Sequence, residues 1–314
     1  MTERRPLLLL SAPAYWATIW AGPLKRANLS FVVQGRDRYA PETIDYALSF
    51  RPPLGLLKGL PNLKVVFSLG AGIDGFLADP DYPRNVPLIR FVDASLSREM
   101  AQYVVLHVLM HHRHQRALDA AQKSRVWLQS RMERRTEDTR VGILGMGEIG
   151  TYSAGVLRDL GFPVSGWSRT RKAIAGVTSF AGGEEFAPFL AQSDILVCLL
   201  PLTRETEGIL NANTFALLPK GAYLINAARG AHQVEREILS ALDSGQLSGA
   251  ALDVFETEPL PESSPLWNHP KVTVTPHIAA ISDPDAAVRM VADGIARFER
   301  GEPLSNVVDL DRGY

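Results

Sequence analysis

Short apolar runs recur along this chain at the spacing of an alternating strand–helix fold. Up to about residue 95 the strand candidates are residues 7–10, 31–34, 46–50, 64–69 and 87–91, separated by helical or irregular stretches such as 15–27 and 53–60. This predicts a small α/β domain. Ser95 or Ser97 could cap a long helix running to about Gln122, crowded with Met100, Val104, Leu106, Val108 and Met110. A helix that apolar needs more than one neighbour, either between domains or in a second subunit. After a basic, polar segment at 124–140, strands are expected at 141–144, 164–167, 195–200, 222–226, 249–252 and 272–274, with helices between most of them. Six strands in that alternation fit one doubly wound parallel sheet. A final helix is expected over 284–300, with no internal repeat, low-complexity tract or further regulatory segment.

The first strand of the second set leads into chemistry. Residues 140–150 read R-V-G-I-L-G-M-G-E-I-G, so a buried strand runs into a G-x-G-x-x-G turn and then into helical spacing from Tyr152. That order is the dinucleotide-binding arrangement. Gly145 suits a tight turn, Gly147 a close approach of pyrophosphate to the backbone, and Gly150 close packing of helix on strand. Phosphate charge would then face the helix N-terminus. About 20 residues beyond the glycines, where an acid would read a ribose 2′-hydroxyl, the chain has Trp167, Ser168, Arg169, Thr170, Arg171 and Lys172. A hydroxyl and three cations suit a 2′-phosphate, because arginine offers it a planar charged fork. NADPH is therefore the expected cofactor, with NADH a substitute, and a solvated basic loop is the alternative reading of the same residues.

Composition narrows the partners. The 314 residues suffice for two domains, and 46% hydrophobic with 21% charged residues is a globular balance. The net charge of −1 gives no global field for nucleic acid or an anionic membrane, so any anion site is local. A single cysteine, Cys198 in D-I-L-V-C-L-L, excludes an intrachain disulfide framework and fits a cytoplasmic location and a buried packing role. Arg4 and Arg5 before residues 7–10 loosely imitate a secretory leader. An apolar run of four residues falls short of an h-region, so a first strand is expected instead. No stretch is long and apolar enough to predict a membrane span.

In an open α/β sheet, ligands gather beyond the carboxyl ends of the strands. Three successive strand candidates run into Ala227-Ala228-Arg229-Gly230, into Phe255-Glu256-Thr257-Glu258-Pro259 and into Thr275-Pro276-His277. An arginine, a carboxylate and a histidine thus emerge together. A guanidinium can hold the carboxylate of a 2-oxo acid and polarise its ketone, while an imidazolium donates a proton to the developing alkoxide. A carboxylate beside that imidazole would fix its tautomer. Singly, Arg229 could serve an ion pair, Glu258 a solvated loop and His277 a hydrogen-bonded core; their joint position favours a reaction centre. His107, His111, His112 and His114 also invite a metal reading, since 107 and 111 lie four apart on the expected helix. With no partnering Cys or acid and with Arg113 and Arg116 beside them, no metal is expected.

These stretches together resemble the D-isomer-specific 2-hydroxyacid dehydrogenase family, and most closely its glyoxylate/hydroxypyruvate reductase A branch. The matching segments are S-L-G-A-G-I-D at 68–74, G-M-G-E-I-G at 145–150, W-S-R-T-R-K at 167–172, L-P-L-T-R-E-T at 200–206, N-A-A-R-G at 226–230, A-L-D-V-F-E-T-E-P-L-P at 251–261 and T-P-H-I-A-A at 275–280. The resemblance implies a Rossmann cofactor domain at 98–282 inserted in a smaller flavodoxin-like substrate domain made of 1–97 and 283–314. It implies that Arg229 binds substrate, that Glu258 supports His277 and that His277 is the acid/base. Along the cofactor it implies Gly145, Gly147, Glu148, Ile149 and Gly150, then Ser168, Arg169, Thr170 and Lys172, then Leu200, Pro201 and Thr203, then Ala227, Ala228 and Arg229, with Asp253 near the nicotinamide carboxamide and His277 beyond it. At the substrate it implies the backbone of Leu69, Gly70, Ala71 and Gly72, a reading consistent with a glycine-rich anion nest, together with Arg229, Trp267 and His277.

The expected activity is NADPH-dependent reduction of a small 2-oxo acid, glyoxylate or hydroxypyruvate, by a homodimer built partly on the helix after Ser97, with no nucleic-acid or membrane partner. The alternatives are NAD-linked oxidation of a larger D-2-hydroxy acid, and a nucleotide-sensing binding protein or corepressor. One departure bears on substrate size: Phe50-Arg51-Pro52-Pro53 stands where the branch often has tryptophan before its x-P-P loop.

Overall fold

The computed structural model describes residues 6–129 and 134–311. Arg4, Arg5 and part of the 124–140 segment lie outside the described residues. The chain divides into two compact units, one formed by 1–96 with 281–314 and the other by 97–280.

In the first unit five parallel strands form one sheet: β1 (Leu7–Ser11), β2 (Ser30–Val33), β3 (Tyr46–Ser49), β4 (Val65–Ser68) and β5 (Leu88–Ile89), in the order β2-β1-β3-β4-β5. That is the flavodoxin-like order. Every residue of β3 and β4 is buried, as a parallel sheet covered on both faces requires. The helix Ala14–Arg26 buries Ala17, Trp20 and Leu24 at helical spacing. The helix Pro284–Glu299 buries Ala287, Val288, Val291, Gly294 and Ile295. Gly294 lets this last helix lie against β4, since a Cβ there would stand 2.6 Å from the Phe67 ring. Glu299 accepts from Tyr46 Oη and, at 2.8 Å, from Lys64 Nζ, which ties the helix end to the sheet. Phe50, at the end of β3, rests on Trp16 with ring centroids 4.8 Å apart.

The second unit holds a seven-stranded parallel sheet: β6 (Val141–Leu144), β7 (Val164–Ser168), β8 (Val177–Ala181), β9 (Ile195–Cys198), β10 (Ala222–Asn226), β11 (Leu247–Leu252) and β12 (Val272–Val274). The order is β12-β11-β10-β9-β6-β7-β8. Reading outward from β6, this is the doubly wound nucleotide-binding order with one strand added. The expected six strands are therefore seven; β8 escapes the hydrophobic pattern because it is an edge strand with no fully buried residue. Alternation sends Ile195 and Val197 to one core layer and Leu196 and Cys198 to the other. The Cys198 thiol is fully buried, and that burial pushes its pKa up to about 12.

The expected single helix to Gln122 is two. The first runs Ala94–His112 and the second Gln115–Lys123, broken where His114 takes the left-handed conformation at φ 53°. The cap is also one residue the pattern did not offer, since Asp93 Oδ1 accepts from Ser95 N–H at 2.7 Å while Ser97 is buried. Met100, Tyr103, Val104 and Val108 of the first helix join the core under β6 and β9. No described helix is long and apolar enough to cross a membrane.

The starts of β6 and β9 are clamped by Asp194, whose side chain is 7% exposed. It accepts from Arg140 N, Nε and Nη2 at 3.0, 2.8 and 3.0 Å and from Arg134 Nη1 at 2.6 Å. Burial raises this carboxyl's pKa, but the Arg140 and Arg134 hydrogen bonds outweigh it and hold the group below its ordinary value. A depressed carboxylate contributes stability above its unfolded pKa and loses it as pH falls through the folded one. Because both arginines are about half exposed and water can replace the lost partner, Asp194→Asn should cost only about 1–2 kcal/mol at neutral pH. In thermal unfolding the gap to wild type should close as pH falls below the unfolded value of about 3.9. A gap independent of pH would show that the charge is not what stabilises this corner.

Candidate active site

The glycine turn after β6 uses its three glycines differently. Gly145 has φ +101°, and a Cβ on it would lie 2.6 Å from Leu199 O. A Cβ on Gly150 would meet Gly145 O at 1.9 Å, so only glycine lets the helix Glu148–Asp159 lie this close to the strand. These two are fixed by the protein itself. Gly147, the N-cap, is exposed and a Cβ there would meet nothing within 4 Å. The side left open at Gly147 faces outward beside the first N–H groups of the helix, with Glu148 exposed and Ile149 half-buried behind it. The arrangement fits a pyrophosphate.

Beyond β7 the basic cluster divides. Arg171 pairs with Glu185 and donates to Ser179 O, and Lys172 N–H donates to Ser179 Oγ at 3.0 Å. Glu185 in turn accepts from Ala181 N–H, and this bond, ahead of Arg171, holds its pKa down. One of the three cations is therefore spent on the neighbouring strand β8, a partner that sequence spacing did not offer. Ser168 Oγ donates to Thr170 O at 2.8 Å, which folds the turn so that Arg169, Thr170 and the Lys172 side chain lie exposed at the strand end. Across β6, Thr203 and Thr206 shape the loop after β9, with Leu200 buried and Pro201 exposed.

Arg229, Glu258 and His277 all belong to the second unit. His277 Nδ1 lies 2.9 Å from Glu258 Oε2, with the two side chains 33% and 20% exposed. An ionised carboxylate only accepts, so Nδ1 carries the proton and Nε2 is the nitrogen left for a ligand. Glu258 Oε1 also accepts from Phe255 N–H at 3.2 Å, which fixes the carboxylate. His277 itself sits at φ 55°, a conformation that costs a bulky residue about 1–3 kcal/mol and persists only where its surroundings impose it. Asp253 imposes it. Its carbonyl accepts from His277 N–H at 2.7 Å, and its buried carboxylate takes Thr275 Oγ1 at 2.6 Å, Ile278 N–H at 3.0 Å and Ala279 N–H at 2.8 Å.

Arg229 leaves the end of β10 half-buried, its Nη1 donating to Ala228 O at 2.7 Å. Its backbone is set by residues that the sequence reading missed. His232, fully buried, lies 3.1 Å from Arg229 N–H through Nδ1 and 3.2 Å from Pro201 O through Nε2, so it links the loops after β10 and β9. Asn226 Oδ1 accepts from Ala228 N–H, and its Nδ2 donates to Gln233 Oε1 at 2.8 Å. Gly230 allows the loop to touch the one after β11, since a Cβ would come within 1.8 Å of Phe255 O. The only signal for this network was polar spacing around N-A-A-R-G.

Trp267 is 49% exposed on the turn Pro265–Trp267, with Nε1 donating to Pro261 O at 3.0 Å. In the first unit, Leu69 is buried and its N–H is already taken by Ser49 O at 2.9 Å; Gly70 N–H meets Ser68 Oγ at 3.3 Å, and Ala71 and Gly72 are half-exposed. Among the described residues His107 and His111 belong to no cluster of three or more His, Cys, Asp or Glu side chains that could hold a metal ion. His107 packs on Tyr103, and His111 stacks on Tyr223 at 4.1 Å, where burial pushes its pKa down to about 4.

A doubly wound sheet with an open glycine turn at a helix N-terminus is the dinucleotide-binding arrangement, and a carboxylate-held histidine and an arginine stand at the ends of its strands. The model of the D-isomer specific 2-hydroxyacid dehydrogenase NAD binding domain matches residues 105–279. The chain belongs to the D-isomer specific 2-hydroxyacid dehydrogenase family. It is 42% identical to a member from Xanthobacter autotrophicus Py2 solved with NADPH and MES, over 99% of this chain and 100% of that one, with a TM-score of 0.92. It is 40% identical to an NADPH-dependent glyoxylate/hydroxypyruvate reductase from Sinorhizobium meliloti solved with NADP and sulfate, over 99% and 100% of the two chains, TM-score 0.89. A D-lactate dehydrogenase from Treponema pallidum, at 22% identity over 96% of this chain and 99% of that one with a TM-score of 0.74, shares the fold.

Proposed function

We propose that this protein is an NADPH-dependent reductase of small 2-oxo acids, converting glyoxylate to glycolate and hydroxypyruvate to D-glycerate. The observation that carries the reading is the Glu258–His277 pair in the same unit as Arg229 and the open glycine turn. The names of the Sinorhizobium and Xanthobacter proteins support the cofactor and the substrate class.

Bound NADPH supplies the hydride, which goes to C2 of the substrate. Arg229 holds the substrate carboxylate and draws electron density from the ketone oxygen. His277 delivers its Nε2 proton to that oxygen as charge develops, and Glu258, bonded at Nδ1, keeps the ring oriented and stabilises the imidazolium before transfer. The products are the 2-hydroxy acid and NADP⁺. Gly147, with the first N–H groups of the helix at Glu148 and Ile149, bears the pyrophosphate, and Gly145 and Gly150 give the turn the shape that presents them. Ser168, Arg169, Thr170 and Lys172 read the 2′-phosphate. Leu200, Pro201, Thr203, Ala227 and Ala228 line the cofactor's path. Asp253 acts on the nicotinamide end through the turn it anchors. Residues 1–97 with 283–314 form the substrate domain, and the 69–72 loop of that unit and, separately, Trp267 of the cofactor domain are the further candidates for substrate binding. Since the N–H of Leu69 is engaged by Ser49, any backbone donors come from later in that loop.

A homodimer belongs to the same reading. Leu106, Leu118, Val126, Trp127 and Leu128 are exposed apolar side chains of the second unit, Trp127 at 91%, and a two-fold partner would cover them.

The wild-type protein should consume NADPH on addition of glyoxylate or hydroxypyruvate, and His277→Ala should lower kcat by about 10²- to 10⁴-fold with NADPH affinity nearly intact. Lost cofactor affinity instead would remove His277 as proton donor. Turnover only of larger D-2-hydroxy acids with NAD⁺, or NADPH binding without turnover, would favour the oxidative or the sensing reading. In binding titrations, Arg169→Asp should weaken NADPH by about tenfold or more while sparing NADH; equal losses would mean that the cluster does not read the 2′-phosphate. Sedimentation equilibrium should give a dimer that Trp127→Asp weakens, and a wild-type monomer at micromolar concentration would refute the assembly.

A further inference from the structure

We propose that Tyr103 is a positioning residue for His277, acting through Thr275 and Asp253 on the turn that carries the histidine. The proposal rests on the reading of His277 as proton donor and adds a residue from a different part of the fold.

The direction of the hydrogen-bond chain follows from the groups in it. Thr275 Oγ1 lies 2.6 Å from Asp253 Oδ1 and 2.8 Å from Tyr103 Oη. The carboxylate can only accept, so the single hydroxyl proton of Thr275 points to Asp253. Thr275 then has only lone pairs for Tyr103, and the phenol must donate. The order is Tyr103 O–H to Thr275 Oγ1 to Asp253 Oδ1, an arrangement in which each bond polarises the next.

This chain ends on the residue that shapes the catalytic turn. Asp253 receives the backbone N–H groups of three consecutive residues, His277 on its carbonyl and Ile278 and Ala279 on its carboxylate. Those bonds hold His277 at φ 55°, away from the conformation it would adopt freely. A carboxylate that rotates loses aim at both N–H groups, and Thr275 is what sets its rotation about the side chain. Tyr103 sets Thr275. The phenol comes from the helix Ala94–His112, is buried, and packs on the ring of His107 one turn on at 4.3 Å between centroids. Burial raises the phenol's pKa, so it remains a neutral donor. The helix that supplies core residues thereby also reaches, through two side chains, the turn on which the proton donor sits.

The test is Tyr103→Phe, which keeps the ring and its packing and removes only the donor. Expected are a fall in kcat of about tenfold, as for a small misplacement of a reacting group, unchanged KM and NADPH affinity, and an unchanged melting temperature. Amide hydrogen exchange at Ile278 and Ala279 should quicken relative to wild type. The double variant Tyr103→Phe/Thr275→Val should lose no more kcat than Thr275→Val alone, because both substitutions cut one chain. Additive losses, a raised KM in place of a lowered kcat, or unchanged exchange with unchanged kcat would overturn the proposal. If wild type turns over no 2-oxo acid, the acid/base reading of His277 fails, and exchange at Ile278 and Ala279 alone then decides whether Tyr103 positions the turn.

Discussion

The buried carboxylate of Asp253 is the constraint on which the rest of the site depends. All three groups that donate to it are neutral: one hydroxyl and two backbone N–H groups. A buried anion held this way is costly to leave partly satisfied, so its partners are forced into fixed places. Those places are the turn after β12, and the forced geometry includes the left-handed histidine. The Glu258 bond can orient an imidazole only because the backbone beneath it cannot relax.

The neighbouring strand end obeys a steric rule instead. Gly230 brings the loop after β10 against Phe255, and His232 spans from Arg229 to Pro201. Arginine and histidine are therefore presented by loops that interlock, each strand end shaped by the next. The glycine turn follows the same logic. Gly145 and Gly150 exist for backbone contacts within the protein, which leaves Gly147 as the open position beside a helix N-terminus.

How much of this was legible in the sequence depended on whether a residue's role is local. Eleven of the twelve described strands announce themselves as apolar runs, most of them because both faces are buried, and G-M-G-E-I-G between strand and helix is a local signature. β12 is only three residues long but follows a recognisable run, whereas β8 is an edge strand of mixed polarity and left no periodic trace. The break at His114 was hidden because a left-handed histidine is spelled like any other residue in a helical pattern. The sequence showed Arg229, Glu258 and His277 as strand-end residues, and the family resemblance implied their roles. Neither named His232, Asn226 or Tyr103, since their partners lie 31, 7 and 172 positions away. Arg171 was read with its neighbours as a phosphate ligand, while its carboxylate partner stands 14 residues on, on the far side of an unseen strand.

The lone thiol gives the molecule a built-in gauge of its own integrity. Cys198 closes β9, with β6 paired on one side and β10 on the other, and none of its surface is open to water. A reagent can reach it only when the middle of the larger sheet comes apart, and even then only the ionised sulfur reacts. Local fraying at loops or at the edge strand β8 leaves it untouched. The rate of thiol labelling in native conditions therefore reports opening of the sheet's centre, read from one atom without any engineered probe.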